Sequence, residues 1–160
     1  MVVTDGQASS SQEEIKNLVD GADVIILPTA AQTRSLELTL EMAEHLKQFN
    51  VPFAALLVKV DSRKAKAARE IRQALEAAEI SVLRTQIPLL AAFEKAENAG
   101  VTVDQAVSAS GKSDPRRMIG WHAYTKACEE IAGLVPQRTN VVPMHPIGWD
   151  TTPLEDRRAA

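Results

Sequence analysis

Two clusters of side chains in this sequence have the chemistry to handle phosphate. Asp5 closes the apolar run Val2-Val3-Thr4, and a small polar turn, Gly6 to Ser11, follows it. A carboxylate in that place holds magnesium in phosphate-handling enzymes, directly or through water; the plainer alternative is that it caps the turn after it. The second cluster is Lys59, Asp61 and Arg63 at the end of another apolar run, continued by Lys64, Lys66, Arg69 and Arg72. Such a basic face is either solvated or draws phosphates and the DNA backbone, with Lys64, Lys66 and Arg69 as the DNA-binding candidates.

Other chemistries find little support. The phosphate-cradling pattern Gly-x-x-x-x-Gly-Lys-Ser/Thr is absent, and so is Gly-x-Gly-x-x-Gly. Gly111-Lys112-Ser113 resembles the end of a P-loop, but Ala106 stands where its first glycine belongs. His45, His122 and His145 are widely separated and make no metal-ligand spacing with Cys128. His45 and His122 read as helix-surface residues, and Cys128 as core. No Gly-x-Ser-x-Gly elbow occurs.

The elements that would position these groups are short apolar runs alternating with amphipathic stretches. Val24 to Leu27, inside Ala22 to Thr29, is β-branched and continuous, the mark of a strand covered on both faces in a parallel sheet. Val2 to Asp5, Phe53 to Val60 and Ser81 to Pro88 repeat its plan. Helices are expected from Ser10 or Ser11 to Gly21, over Arg34 to Phe49, Arg63 to Ala78 and Leu89 to Ala99, and from Asp114-Pro115 to Leu134. The stripe Leu36, Leu40, Ala43, Leu46 and Phe49, with Met42 beside it, should face the core, as should Ala68, Ile71, Leu75 and Ala78. On the last helix Met118, Trp121, Tyr124, Cys128, Ile131 and Val135 share a face, which predicts that they are buried. The alternation implies an α/β layered fold, a mostly parallel sheet flanked by helices, over residues 1–135. Residues 136–160, with their repeated prolines and no periodicity, read as an irregular tail. Ligands in such sheets sit beyond the carboxyl ends of the strands. A site is therefore expected at Asp5, Pro28-Thr29, Lys59 to Arg63 and Thr85 to Pro88.

Composition narrows the partners. A net charge of −3 argues against a strongly electrostatic nucleic-acid binder, and 4% aromatic content argues against base-stacking platforms. A single cysteine excludes an intrachain disulfide and fits a reducing compartment. No apolar run nears the roughly 20 residues that span a bilayer. Asp5 interrupts the apolar start, so no signal peptide is expected, and the expected location is cytoplasmic, with no membrane partner.

The order of motifs resembles one family, the ParA/MinD-type partition ATPases with a deviant P-loop. Val2 to Asp5 with its polar turn looks like their magnesium-side strand. Ala22-Asp23-Val24-Ile25-Ile26-Leu27-Pro28-Thr29 is similar to their Ala-Asp-x-Val-Ile-x-Pro-Thr. Leu56-Leu57-Val58-Lys59-Val60-Asp61-Ser62-Arg63 is similar to their Leu-Leu-Asn-Arg-Val-Asp-Pro-Arg. Thr85-Gln86-Ile87-Pro88, Ala92-Phe93 and Gly100-Val101-Thr102-Val103 complete the series. The resemblance covers about Val2 to Leu134. It implies a P-loop NTPase-like fold, ATP and magnesium as cofactors, and nucleotide contacts at Thr29, Lys59, Asp61, Arg63 and Pro88, with Asp5 on the metal. It also implies partners: a ParB-like centromere-binding protein, non-specific DNA, and a second copy or a separately encoded P-loop portion.

The chain departs from the family in ways that bear on activity. The family's P-loop strand, lysine-bearing loop and helix have no counterpart here, so ATP hydrolysis is not expected from this chain alone. Val58 replaces an asparagine that touches adenine in many relatives, and Gly6-Gln7 replaces Thr-Pro after the strand aspartate. The expectation is the C-terminal portion of a ParA-like ATPase acting in plasmid or chromosome partition. The alternative is a non-catalytic relative that binds protein or DNA. A phosphorelay receiver with Asp5 as acceptor lacks the acidic residues expected ahead of that aspartate.

Overall fold

The computed structural model describes Val3, residues 12–107 and residues 110–135. Within them the order is α1 (Gln12–Asp20), β1 (Ile25–Ala30), α2 (Thr33–Leu46), β2 (Phe53–Val60), a 3-10 turn (Ser62–Lys64), α3 (Ala65–Ala77), β3 (Val82–Pro88), α4 (Ala91–Ala99), a second 3-10 turn (Val103–Gln105) and α5 (Arg117–Leu134). Asp5 and residues 136–160 lie outside the described residues. Of the expected first strand only Val3 is described; it is 81% exposed and belongs to no strand.

The three described strands form one parallel sheet in the order β1-β2-β3. Central β2 alternates its side chains between two apolar layers, the reason its sequence is apolar almost throughout. Ala55 and Leu57 face Ala43 of α2 and Ile71 and Leu75 of α3. Ala54 and Leu56 face the other way, with Leu83 and Ile87, onto Ala127 of α5. The chain is thus an α/β layered fold, helix–sheet–helix, as its alternation predicts. Pro28 lies in β1, an edge strand of the described sheet, where its missing N–H costs no ladder bond to a further strand.

The expected helix stripes of α2 and α3 are buried as read: Ala43 and Leu46, then Ala68, Ile71 and Leu75. α3 ends through Glu79, which takes the left-handed conformation at φ 59°. The Ile80 amide then donates to the Leu75 carbonyl and the Glu79 amide to that of Glu76, satisfying the last carbonyls of the helix. Gly100 closes α4 in the same conformation, at φ 63°.

The expected buried face of α5 is overturned except at Ile131, which packs under the sheet. Met118, Trp121, Tyr124 and Cys128 are exposed. The face that meets the sheet is built from Gly120, Ala123, Ala127 and Ile131. Size explains the reversal. A Cβ on Gly120 would stand 2.9 Å from Phe93 Cζ and 3.2 Å from Val103 Cγ2, so only small residues let α5 approach α4 and the second 3-10 turn this closely. The large side chains at 118 and 121 are turned outward as a result, while Tyr124 packs edge-on to Phe93 of α4. Among the described residues no helix is long and apolar enough to cross a membrane.

Candidate functional site

Parallel strands bring the candidate residues to one edge. Thr29, Lys59 with Asp61, and Pro88 lie at the carboxyl ends of β1, β2 and β3, and Val60 is paired directly with Pro88. The Leu89 amide donates to the Val60 carbonyl at 2.9 Å, tying the ends of β2 and β3 together.

The end of β1 is occupied by a hydroxyl network. Thr29 is fully buried; its hydroxyl lies 2.9 Å from Thr39 Oγ1 and 3.1 Å from the Leu27 carbonyl oxygen. Thr39 donates to the Ser35 carbonyl, and Ser35 Oγ accepts the Ala30 amide at 2.9 Å. Thr29 therefore fastens α2 to β1, and its polar atom is satisfied from within. The sequence carries no sign of Ser35 and Thr39 beyond their hydroxyls.

The end of β2 is irregular. Three residues of β2, from Leu57 to Val60, advance against two of β3, from Gln86 to Pro88, which inserts one extra residue. Lys59 sits in that bulge with φ 53°, exposed and left-handed. A lysine there carries strain of about 1–3 kcal/mol, and bulges of this kind re-aim side chains beside binding sites. Nothing in the composition of Val58-Lys59-Val60 signals it.

Asp61 and Arg63 follow as a preformed fork. Arg63 Nε donates to Asp61 Oδ1 at 3.0 Å and its terminal nitrogen to Oδ2 at 2.8 Å. Asp61 Oδ1 also accepts the Arg63 amide, which starts the 3-10 turn. The Arg63 hydrogen bonds pull the Asp61 carboxyl down from 3.8 to about 2. Arg63 is itself raised by the same partner.

The three DNA-binding candidates are exposed around the start of α3. Acid interrupts this face: Lys66 lies 3.7 Å from Glu70, and Arg63 is held by Asp61. Arg72 turns away from it, donating to the Leu83 carbonyl at 2.8 Å and fixing α3 to β3. Lys64 and Arg69 are left as its least neutralised charges.

A carboxylate clamp unforeseen in the sequence lies at the other side of the sheet. Glu130 of α5 accepts the Arg84 amide at 2.7 Å, the Thr85 amide at 2.9 Å and the Thr85 hydroxyl. Partial burial pushes this carboxyl up, but the Thr85 and backbone donors outweigh it and hold the carboxyl below its usual range. The clamp seals edge amides of β3 that would otherwise be open to another strand. Two open grooves, of about 680 and 520 Å³, run beside it between β3 and α5, away from the carboxyl edge. Asp114 plays a similar structural part: it pairs with Lys95 and accepts the Arg116 amide ahead of α5. The Lys95 bond, then the Arg116 amide, hold its carboxyl low.

These depressed carboxyls set an acid limb. Each folded value lies below its ordinary one, so each contributes stability that is complete above the ordinary value and lost as pH falls through the folded value. The urea midpoint is expected to be level down to about pH 4 and then to fall steadily toward about pH 2. Asp61→Asn should remove Asp61's share of the fall, between pH 3.8 and about pH 2. A midpoint unchanged over this window would contradict the bonds described.

Whether the residues fit a magnesium–nucleotide can be judged from their chemistry. Among the described residues no group of three His, Cys, Asp or Glu side chains is placed to hold a metal ion. At the carboxyl edge stand the exposed Lys59 cation and an Arg63 guanidinium already held by Asp61. No protein-family model matches the sequence, and no curated protein matches it.

Proposed function

We propose that this chain is the C-terminal portion of a ParA-like partition ATPase and supplies the adenine-facing side of its nucleotide site. Lys59, Asp61, Arg63 and Pro88 form that wall, with Thr29 holding β1 and α2 in place behind it. The complete ATPase binds ATP with magnesium, dimerises around it and hydrolyses it under the stimulus of a ParB-like centromere-binding protein. The sequence holds no P-loop pattern and the described residues no metal-ligating cluster, so hydrolysis requires a P-loop portion supplied separately or on the same polypeptide.

One observation carries the reading. A left-handed lysine in a bulge, directly ahead of a preformed Asp61–Arg63 fork, stands at the carboxyl end of the central parallel strand. Ligands of open parallel sheets bind at that edge, and strain of this kind persists where a side chain must be aimed.

The test is an amide-resolved NMR titration of the full chain with ADP. Shifts are expected at Lys59, Val60, Asp61, Arg63 and Leu89. Lys59→Gly relieves the left-handed strain, so it should leave stability equal or higher while weakening the shifts. An absence of shifts at millimolar ADP, or shifts confined to the grooves between β3 and α5, would refute the proposal.

A further inference from the structure

The outward face of α5 has a regular pattern that the fold does not use. Met118, Trp121, Thr125, Cys128 and Ala132 recur at spacings of three and four, and all are exposed. This is the seam spacing of a two-helix coiled coil, set on the side of the helix away from Gly120, Ala123 and Ala127. Met118 is 40% and Trp121 41% exposed, and large apolar side chains aligned on an outward face mark an interaction surface.

We propose that this seam pairs antiparallel with α5 of a second copy of the chain. The seam is complementary to its own reverse. Its large residues, Met118 and Trp121, lie in the N-terminal half, and its small one, Ala132, lies in the C-terminal half. With the helices antiparallel, Trp121 of each copy faces Ala132 of the other, and Thr125 faces Cys128. His122 and Glu129 flank the seam on the same side and are exposed. Reversal sets His122 of one copy beside Glu129 of the other, twice. A parallel pair would instead stack Trp121 on Trp121 and Ala132 on Ala132, large on large and small on small. Antiparallel helices also align their dipoles favourably. Both halves of the fit lie on one helix, which makes a second copy the occupant in preference to an unrelated helix or a lipid surface. The pair leaves the carboxyl edge of the sheet untouched and stands independently of the nucleotide reading.

The experiment combines sedimentation velocity with cross-linking on the full chain. The chain is expected to sediment as a dissociable dimer over a concentration series. Trp121→Glu should raise the dissociation constant at least ~10-fold, as central aromatic anchors do, with the far-UV circular dichroism unchanged. Thr125→Cys, facing native Cys128 of the second copy, should form a disulfide-linked dimer under an added oxidant much faster than the wild type. Ile119→Cys, which is equally exposed but off the seam, should link no faster than wild type. A chain that stays monomeric at every concentration would overturn the proposal. So would a dimer indifferent to Trp121→Glu, equal linking at 119 and 125, or a monomer that binds vesicles through this face.

Discussion

Replacing Leu57 with alanine is expected to destabilise the chain by roughly 2–5 kcal/mol, the span for a leucine removed from a rigid core. Leu57 is fully buried at the middle of the central strand. Its neighbours are Ala43 of α2, Ile71 and Leu75 of α3, and Ile80. Three of these belong to backbone fixed by helix bonds, so the site cannot collapse around the lost volume, and the cost should fall in the upper half of that span. The melting temperature should drop by on the order of 10 °C. Leu38→Ala is the matched control: Leu38 lies on α2 but is 49% exposed. It should cost a few tenths of a kcal/mol. Thermal and urea unfolding of the pair decides the matter. A Leu38→Ala loss equal to that of Leu57→Ala would mean that α2 presents its other side to the sheet.

That contrast is legible in the amino-acid sequence, because the information is local. β2 is a run of apolar residues too short for a helix and bounded by Pro52 and Asp61, and the stripes of α2 and α3 follow the helical period. The parallel arrangement follows from the same alternation. Three features are not legible there, each for a different reason. The bulge at Lys59 arises from unequal advance of two strands, and register belongs to the pair and not to either sequence. The Glu130 clamp joins residues 45 and 46 positions apart, with no motif linking them. The orientation of α5 comes out reversed when apolar size is taken as the measure of burial, because close approach at Gly120 favours the small face over the large one.

The candidate site divides along the same line. That Thr29, Lys59, Asp61 and Pro88 share an edge follows from parallel strands alone. What each contributes does not. Thr29 is spent on the hydroxyl network with Thr39, whereas Lys59 is strained and exposed and Arg63 is already oriented by Asp61. The edge therefore has a rigid end at β1 and a presented end at β2. On the nucleotide-site proposal, residues 59–63 touch the ligand and β1 only supports them, and the Lys59→Gly variant tests the first of those roles.

Gly120→Val should produce the second large effect, and its sign rests on a close approach. The added Cβ would meet Phe93 Cζ at 2.9 Å and Val103 Cγ2 at 3.2 Å. Phe93 cannot swing clear easily, since it packs edge-on to Tyr124 with ring centroids 5.6 Å apart and reaches toward the buried Ala92–Ala96 cluster. Overpacking of this sort costs about 1–3 kcal/mol, and the branched methyls of valine should bring the loss to the top of that range. Gly120→Ala sets the same contact against the gain of about 1 kcal/mol that alanine brings to a helix interior, so its net change should be small. Gly133→Ala isolates the gain, because nothing lies within 4 Å of a Cβ there. It should stabilise by up to about 1 kcal/mol. Urea unfolding of the three variants gives the order Gly133→Ala, Gly120→Ala, Gly120→Val, from most to least stable. A Gly120→Val protein as stable as Gly133→Ala would show that α5 does not lie against Phe93. The small-residue face would then no longer explain why Met118 and Trp121 point outward.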